Sequence, residues 1–271
     1  MQNGMTAIFL VMASSCMASQ LSPQADRAFE TYVANLEARL ARQHARPETY
    51  LAVVAEASAA DSSKRQPMSG DMRVEAVNGG TWQVGGALLH HWRGTAYVPN
   101  ATPKDMLMLL QDFNHLSTHY APEVVSSRAL TDNGAIASLA VRFKEHKLLT
   151  IVLDAEYQVE ARLSASDRGY SVSRSTHIWQ LDRPGTAQER RRPPGEDDGF
   201  LWHLNSYWSF ARVSQGLQIE CEAVSLTRDV PRGLGWLISP IIADFPREEL
   251  AFTLRASKNA LTAGVSQEEN R

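Results

Sequence analysis

The stretch from Phe200 to Leu261 restricts the fold more than any other part of the chain. Phe200–Val213 alternates with period two. Phe200, Trp202, Leu204, Ser206, Trp208 and Phe210 lie on one face, and Leu201, His203, Asn205, Tyr207 and Ser209 on the other. A turn at Ser214-Gln215-Gly216 returns the chain into Leu217–Thr227, where Leu217, Ile219, Cys221 and Ala223 alternate with Gln218, Glu220 and Glu222. Both runs are about twice the usual strand length of roughly 5–6 residues. Strands that long twist and curl, and a curled sheet needs something inside the curl. The filler follows in the chain. Pro246 marks a helix start, Glu248 and Glu249 favour its first turn, and Leu250, Leu254 and Leu261 make an apolar stripe.

Upstream, Leu88–Val98 reads as a strand, and Thr102-Pro-Lys-Asp105 carries the signature of a helix start, with a second short helix around Asn114–Tyr120. After Pro122, strands are expected at 124–130, 136–144, 148–163 and 170–181, with Asp132-Asn-Gly134 as a hairpin turn. The order is a strand, two short helices, six strands and a long helix. Strands in antiparallel succession with helices at the ends define an α+β fold.

Three quoted stretches, Trp202–Arg228, Pro231-Arg-Gly-Leu-Gly-Trp236 and Phe245-Pro-Arg-Glu-Glu-Leu250, together resemble START-like proteins of the helix-grip (SRPBCC) superfamily, which includes polyketide cyclases. The resemblance covers about residues 82–262 and lies in the order of elements. It implies a curved antiparallel sheet gripping a C-terminal helix, with a cavity for a lipid or other apolar small molecule between them. On that reading Trp202, Ser206, Trp208 and Phe210 line the cavity and Arg142 or Arg174 guards its mouth. Trp236, Ile241, Ile242 and Phe245 would form an apolar lip. Carriage of such a molecule is the leading expectation. A cyclase/aromatase- or hydratase-type enzyme would need a polar group of perturbed pKa inside the cavity. An interaction module would instead have a filled core.

The N-terminal part is organised differently. Residues 5–18 form a short apolar run ending in small residues, too short to cross a bilayer and of signal-peptide length. No Lys or Arg precedes it. Export to the periplasm or outside, with residues 1–19 as the signal, stands against a cytoplasmic chain whose N-terminus is frayed or buried. Cys16 is also a candidate lipidation site, although Ala13 stands where such sites usually have Leu. Ser22-Pro23 then opens a helix in which Phe29, Tyr32, Val33, Leu36 and Leu40 recur at helical spacing. This arm and a breaker-rich linker fill residues 20–70, the main domain 81–262 and a tail 263–271. The arm either docks on the main domain or forms a homodimer contact.

The chemical motifs are sparse. His115 and His119 have metal-ligand spacing, but no third ligand accompanies them, and no metal or other cofactor is expected. His90 and His91 point to opposite faces of their strand. Cys221, flanked by two glutamates, reads as a core thiol rather than a nucleophile. Glu220 and Glu222 share a strand face, which the alternation assigns to solvent, where Arg212 or Arg174 would suit them. The net charge of −3 and the single basic run Arg190–Arg192, followed by Glu196-Asp-Asp198, argue against a nucleic-acid partner. No later segment is apolar enough to span a membrane.

Overall fold

The computed structural model describes residues 20–53, 72–134, 136–146, 150–193, 195–229 and 235–269, with side chains of the last segment described for 245–265. The 1–19 segment therefore lies outside the described residues, as does the whole of the 59–70 linker.

Helix α1 (Pro23–His44) starts as its sequence predicts. Ser22 caps it by accepting from the Ala25 amide, and the same hydroxyl donates to the Gly85 carbonyl at 2.7 Å, tying the helix start to a hairpin turn. A 3₁₀ turn follows at Pro47–Thr49. The sheet contains β1 (Arg73–Val84), β2 (Ala87–Pro99), β3 (Val124–Asp132), β4 (Ile136–His146), β5 (Thr150–Ala165), β6 (Arg168–Asp182), β7 (Arg190–Arg191), β8 (His203–Val213) and β9 (Gly216–Arg228). Between β2 and β3 lie α2 (Pro103–Gln111), closed by a Thr102/Asp105 capping box, and the short α3 (Leu116–His119). The last helix is α4 (Gly235–Glu269).

Neighbouring strands are antiparallel in the order β1-β2-β9-β8-β6-β5-β4-β3, with β7 attached to β6. Each of the strands expected from the sequence is present to within a few residues. Three elements differ, the two-residue β7 among them, because the basic run reads as part of a loop. Strand β1 was not expected, because Asn78-Gly79-Gly80 breaks its alternation; the register slips between Ala76 and Thr81. Helix α4 also begins at Gly235 and runs through Pro240 and Pro246, so Pro246 lies within the helix rather than opening it.

The two faces of the sheet are covered by different helices. On the inner face, α2 and α4 pack on Ala96, Val98, Trp208, Phe210, Leu217, Ile219 and Cys221 through Met106, Leu109, Leu250, Leu254 and Leu261. Gly94 permits this approach, because a Cβ there would lie 2.1 Å from Leu254 Cδ1. On the outer face, α1 buries Ala25, Phe29, Leu36 and Leu40 against Ala87, Leu89, Tyr207, Val224 and Leu226. The arm thus docks on its own sheet, and the stripe offered above as a dimer contact is used within the chain. That docking also corrects the reading of Glu220 and Glu222. They lie on the outer face as their alternation requires, but α1 and the residues after it bury them to 1% and 2% exposure.

Candidate functional site

The inner face carries two apolar clusters separated by a strip of smaller side chains. One cluster is the β2/β8/β9–α4 core. The other joins Leu139, Val141, Ala155, Tyr157 and Val159 of β4 and β5 to Phe113, with Leu116 and Tyr120 packed against it. Between them, the register sets Ser206 of β8 opposite Ser173 of β6 and Ala223 of β9. Direct register partners share a face, and Ala223 packs on the inner core, so both serines face inward. Both are only half-buried, whereas Trp208 and Phe210 farther along β8 are buried.

Among the polar groups of this interior, three bear on ligand binding. The Tyr157 hydroxyl is buried and has no hydrogen-bond partner among the described residues. The indole N–H of Trp92, on the inner face of β2, is likewise buried without a partner. An unpaired buried donor costs roughly 1–3 kcal/mol, so each marks a place where an acceptor oxygen would be stabilised. The third group is Tyr120, whose hydroxyl lies 3.0 Å from Ser257 of α4. Burial pushes the Tyr120 phenol up to about 12, and burial likewise pushes the Tyr157 phenol and the Cys221 thiol upward. All three are neutral near pH 7 and act as donors or packing groups rather than bases. The remaining inward imidazole, His90, lies 2.9 Å from both Thr81 and Thr227, and burial lowers it to about 4.

Beside the Tyr120–Ser257 contact, a cleft of about 400 Å³ runs along the seam between α3 and α4. Its walls include Ala121, Phe252, Ala256, Ala260 and Ala263, with His119 and Arg255 adding polarity. His119 and His115 do not converge on a metal position. Their ring nitrogens meet the two oxygens of Asp112 at 2.8 and 2.6 Å. Burial raises Asp112, but the two imidazoles outweigh it and hold its carboxyl below the usual range.

The residues expected to line the cavity end up in several places. Ser206 faces the inner strip. Trp208 and Phe210 are inward-facing but belong to the packed core. Trp202 precedes β8, packs with the outer-face cluster and donates its indole N–H to Asp197. Arg142 and Arg174 are on the outer face too. Arg142 pairs with Asp154 at 2.7 Å and with Glu189, and Arg174 pairs with Glu37 of α1 at 2.6 Å. Neither arginine is at a cavity mouth, because period-two alternation turns both away from their inward neighbours Val141 and Ser173. Phe245 is half-buried on α4, while the side chains of Trp236, Ile241 and Ile242 lie outside the described residues. Sequence reasoning missed Tyr157, Trp92 and the Tyr120–Ser257 pair. The signal for Tyr157 was available, since a tyrosine alternating in phase with Ala155 and Val159 is inward-facing and needs a partner.

One strand order and one helix now stand together: an antiparallel sheet with two short helices inserted after its second strand and its last helix laid across the inner face. The fold is START-like. Among solved structures, a STAR-related lipid transfer protein fragment from Xanthomonas axonopodis is 15% identical, with 70% of this chain and 98% of that chain covered and a TM-score of 0.43. Human STARD10 is 8% identical over 75% of this chain and 78% of that chain, with a TM-score of 0.42. The Zhui aromatase/cyclase from Streptomyces is 14% identical over 68% and 94%, with a TM-score of 0.39. At these scores no ligand and no residue role passes from those proteins to this START-like chain. No protein-family model matches the sequence, and neither does any curated protein.

Proposed function

We propose that the START-like domain binds a lipid or another apolar small molecule bearing an acceptor oxygen, between the serine strip of β6 and β8 and the helices α2–α4. The observation that carries this reading is the Tyr157 hydroxyl, buried on the inner face of β5 without a partner among the described residues, one strand from the half-buried Ser173 of β6. Its neutral O–H donates to a carbonyl, ester or carboxyl oxygen. The apolar clusters on either side take the rest of the ligand. A ligand losing roughly 300 Å² of apolar surface gains on the order of 7 kcal/mol gross. Association costs remove several of these, which suits a carrier or sensor of micromolar affinity. The α3–α4 seam, lined by alanines and held by one hydroxyl pair, is the proposed way in.

The enzyme alternative draws less support. Tyr120, Tyr157 and Cys221 shift toward their protonated, neutral forms, which are not bases near pH 7, and His90, lowered to about 4, is a weak one. The export reading of residues 1–19 remains part of the proposal, since a carrier outside the cytoplasm would suit the same ligand class.

Binding of a fluorescent fatty acid, followed by titration, tests the site. Saturable binding is expected for the native chain, weakened about threefold to tenfold in Tyr157→Phe, which loses one hydrogen bond worth roughly 0.5–1.5 kcal/mol. Filling the strip with Ser206→Phe should abolish binding. Unchanged binding in both variants would refute the placement.

A further inference from the structure

Binding on the inner face leaves a second built feature unexplained, on the opposite face beneath α1. There, a cleft of about 580 Å³ opens between the last turns of α1, the stretch that follows it and the irregular part of β1. Its walls include Arg39, Gln43, Thr49, Asn78, Arg93 and Glu222. The volume is within the range of roughly 300–1,000 Å³ typical of small-molecule sites.

Glu222 is the centre of the wall. It is 2% exposed, and its two oxygens are treated very differently. Oε2 accepts from the Arg39 guanidinium and lies 2.8 Å from His91 Nε2. His91 Nδ1 is 2.7 Å from the Tyr32 hydroxyl, which in turn accepts from the Asn78 amide at 3.0 Å. A carboxylate oxygen only accepts, so the Nε2–H of His91 donates to Oε2. Both of these donors to Glu222 therefore end on Oε2. Oε1 is buried and has no partner among the described residues.

The surrounding charges leave that oxygen's demand unmet. Arg39 divides its guanidinium between Glu222 and Gln43. Arg93 is bound to Glu75 through two of its nitrogens. Glu220, the other buried carboxyl on this face, takes the amides of Ala52 and Val53 at 3.2 and 3.1 Å. A charged carboxylate buried with one bare oxygen is destabilising by more than the penalty for a neutral group, and a charge-assisted donor relieves it best.

We propose that this outer-face cleft is a binding site for a small molecule carrying a protonated amine, which donates to Glu222 Oε1. The site is separate from the inner-face reading and stands or falls without it. Arg39, His91, Tyr32 and Asn78 are positioning residues that hold Glu222 and leave Oε1 turned to the amine.

The test compares ethanolamine with ethylene glycol, which differ by one amine replaced by a hydroxyl, in NMR titrations of the full chain. Saturable shifts at Asn78 and Thr49 are expected with ethanolamine, and affinity at least tenfold weaker with ethylene glycol. Glu222→Gln should weaken ethanolamine at least tenfold. Val77→Trp puts bulk into the cleft wall next to Asn78, at a position that itself makes no hydrogen bond to Glu222 among the described residues, and should remove the shifts even if the Gln variant folds poorly. Equal affinity for the two probes, no saturable shift, or unchanged binding in Val77→Trp would each overturn the proposal, with water then the partner of Oε1.

Discussion

Replacing Gly94 with alanine probes the contact on which the grip depends. The new Cβ would lie 2.1 Å from Leu254 Cδ1 and 3.2 Å from Leu250 Cγ, both on α4. Leu254 is 0% exposed and Leu250 3%, so neither has open space to retreat into. Forcing a methyl into such packing costs about 1–3 kcal/mol. The backbone gain of alanine over glycine in a strand offsets about 0.5–1 of this. A contact of 2.1 Å belongs at the upper end of the packing cost, about 2–3 kcal/mol. The net loss is therefore about 1–2.5 kcal/mol, and at about 2–4 °C per kcal/mol for a domain of this size the melting temperature falls by about 2–10 °C. The interaction is isolated by a double-mutant cycle. Leu254→Ala alone should cost about 2–5 kcal/mol through the cavity it opens. In the double variant the alanine at 94 occupies part of that cavity, so the two losses should fall short of additive by at least about 1 kcal/mol. Thermal and urea unfolding of the four proteins measures this. A neutral Gly94→Ala, or strict additivity in the cycle, would refute the claim that α4 rests directly on β2 at this point.

Two other outcomes follow from the same coordinates. His90, lowered to about 4 by burial, and His44, lowered to about 4 by burial and then by Arg39, are both neutral when folded. The unfolded chain binds their protons first, so stability is fully present above about pH 6.5 and is lost as pH falls from there towards 4, by on the order of 3 kcal/mol for each. His90→Asn should flatten that limb of an unfolding-versus-pH series, and an unchanged slope would contradict the assignment. Ser22→Ala removes both the α1 cap and the bond to Gly85, and should cost about 1 kcal/mol in chemical unfolding; no change would mean that α1 docks independently of its cap.

The physical reasons for what could be read from the sequence are uneven across the chain. The strands from β2 to β9, the two-residue β7 excepted, were legible because their alternation is long and their turns carry Gly or Asn, as at Asp132-Asn-Gly134. β1 was not, since two glycines with positive φ at 79 and 80 interrupt its period. The buried state of Glu222 was hidden because alternation gives a face but not what covers it. Arg39 carried a readable hint: it follows Leu36 by three and precedes Gln43 by four on the docked side of α1, and a charge inside an apolar stripe calls for a buried acid. Trp202 was misplaced by extending the strand period past its end at His203. Arg142 and Arg174 were assigned to a cavity mouth by charge alone, whereas Asp154, Glu189 and Glu37 come from distant parts of the chain and only the tertiary fold brings them close.

Native mass spectrometry of the purified chain, followed by denaturation and extraction, would show whether the inner face holds a ligand. An added mass in stoichiometric amount is expected, released on unfolding and identified as an apolar molecule with an acceptor oxygen. A clean apo mass, together with no thermal shift across fatty acids, phospholipids and polyketides, would contradict it and leave a START-like domain with a filled core.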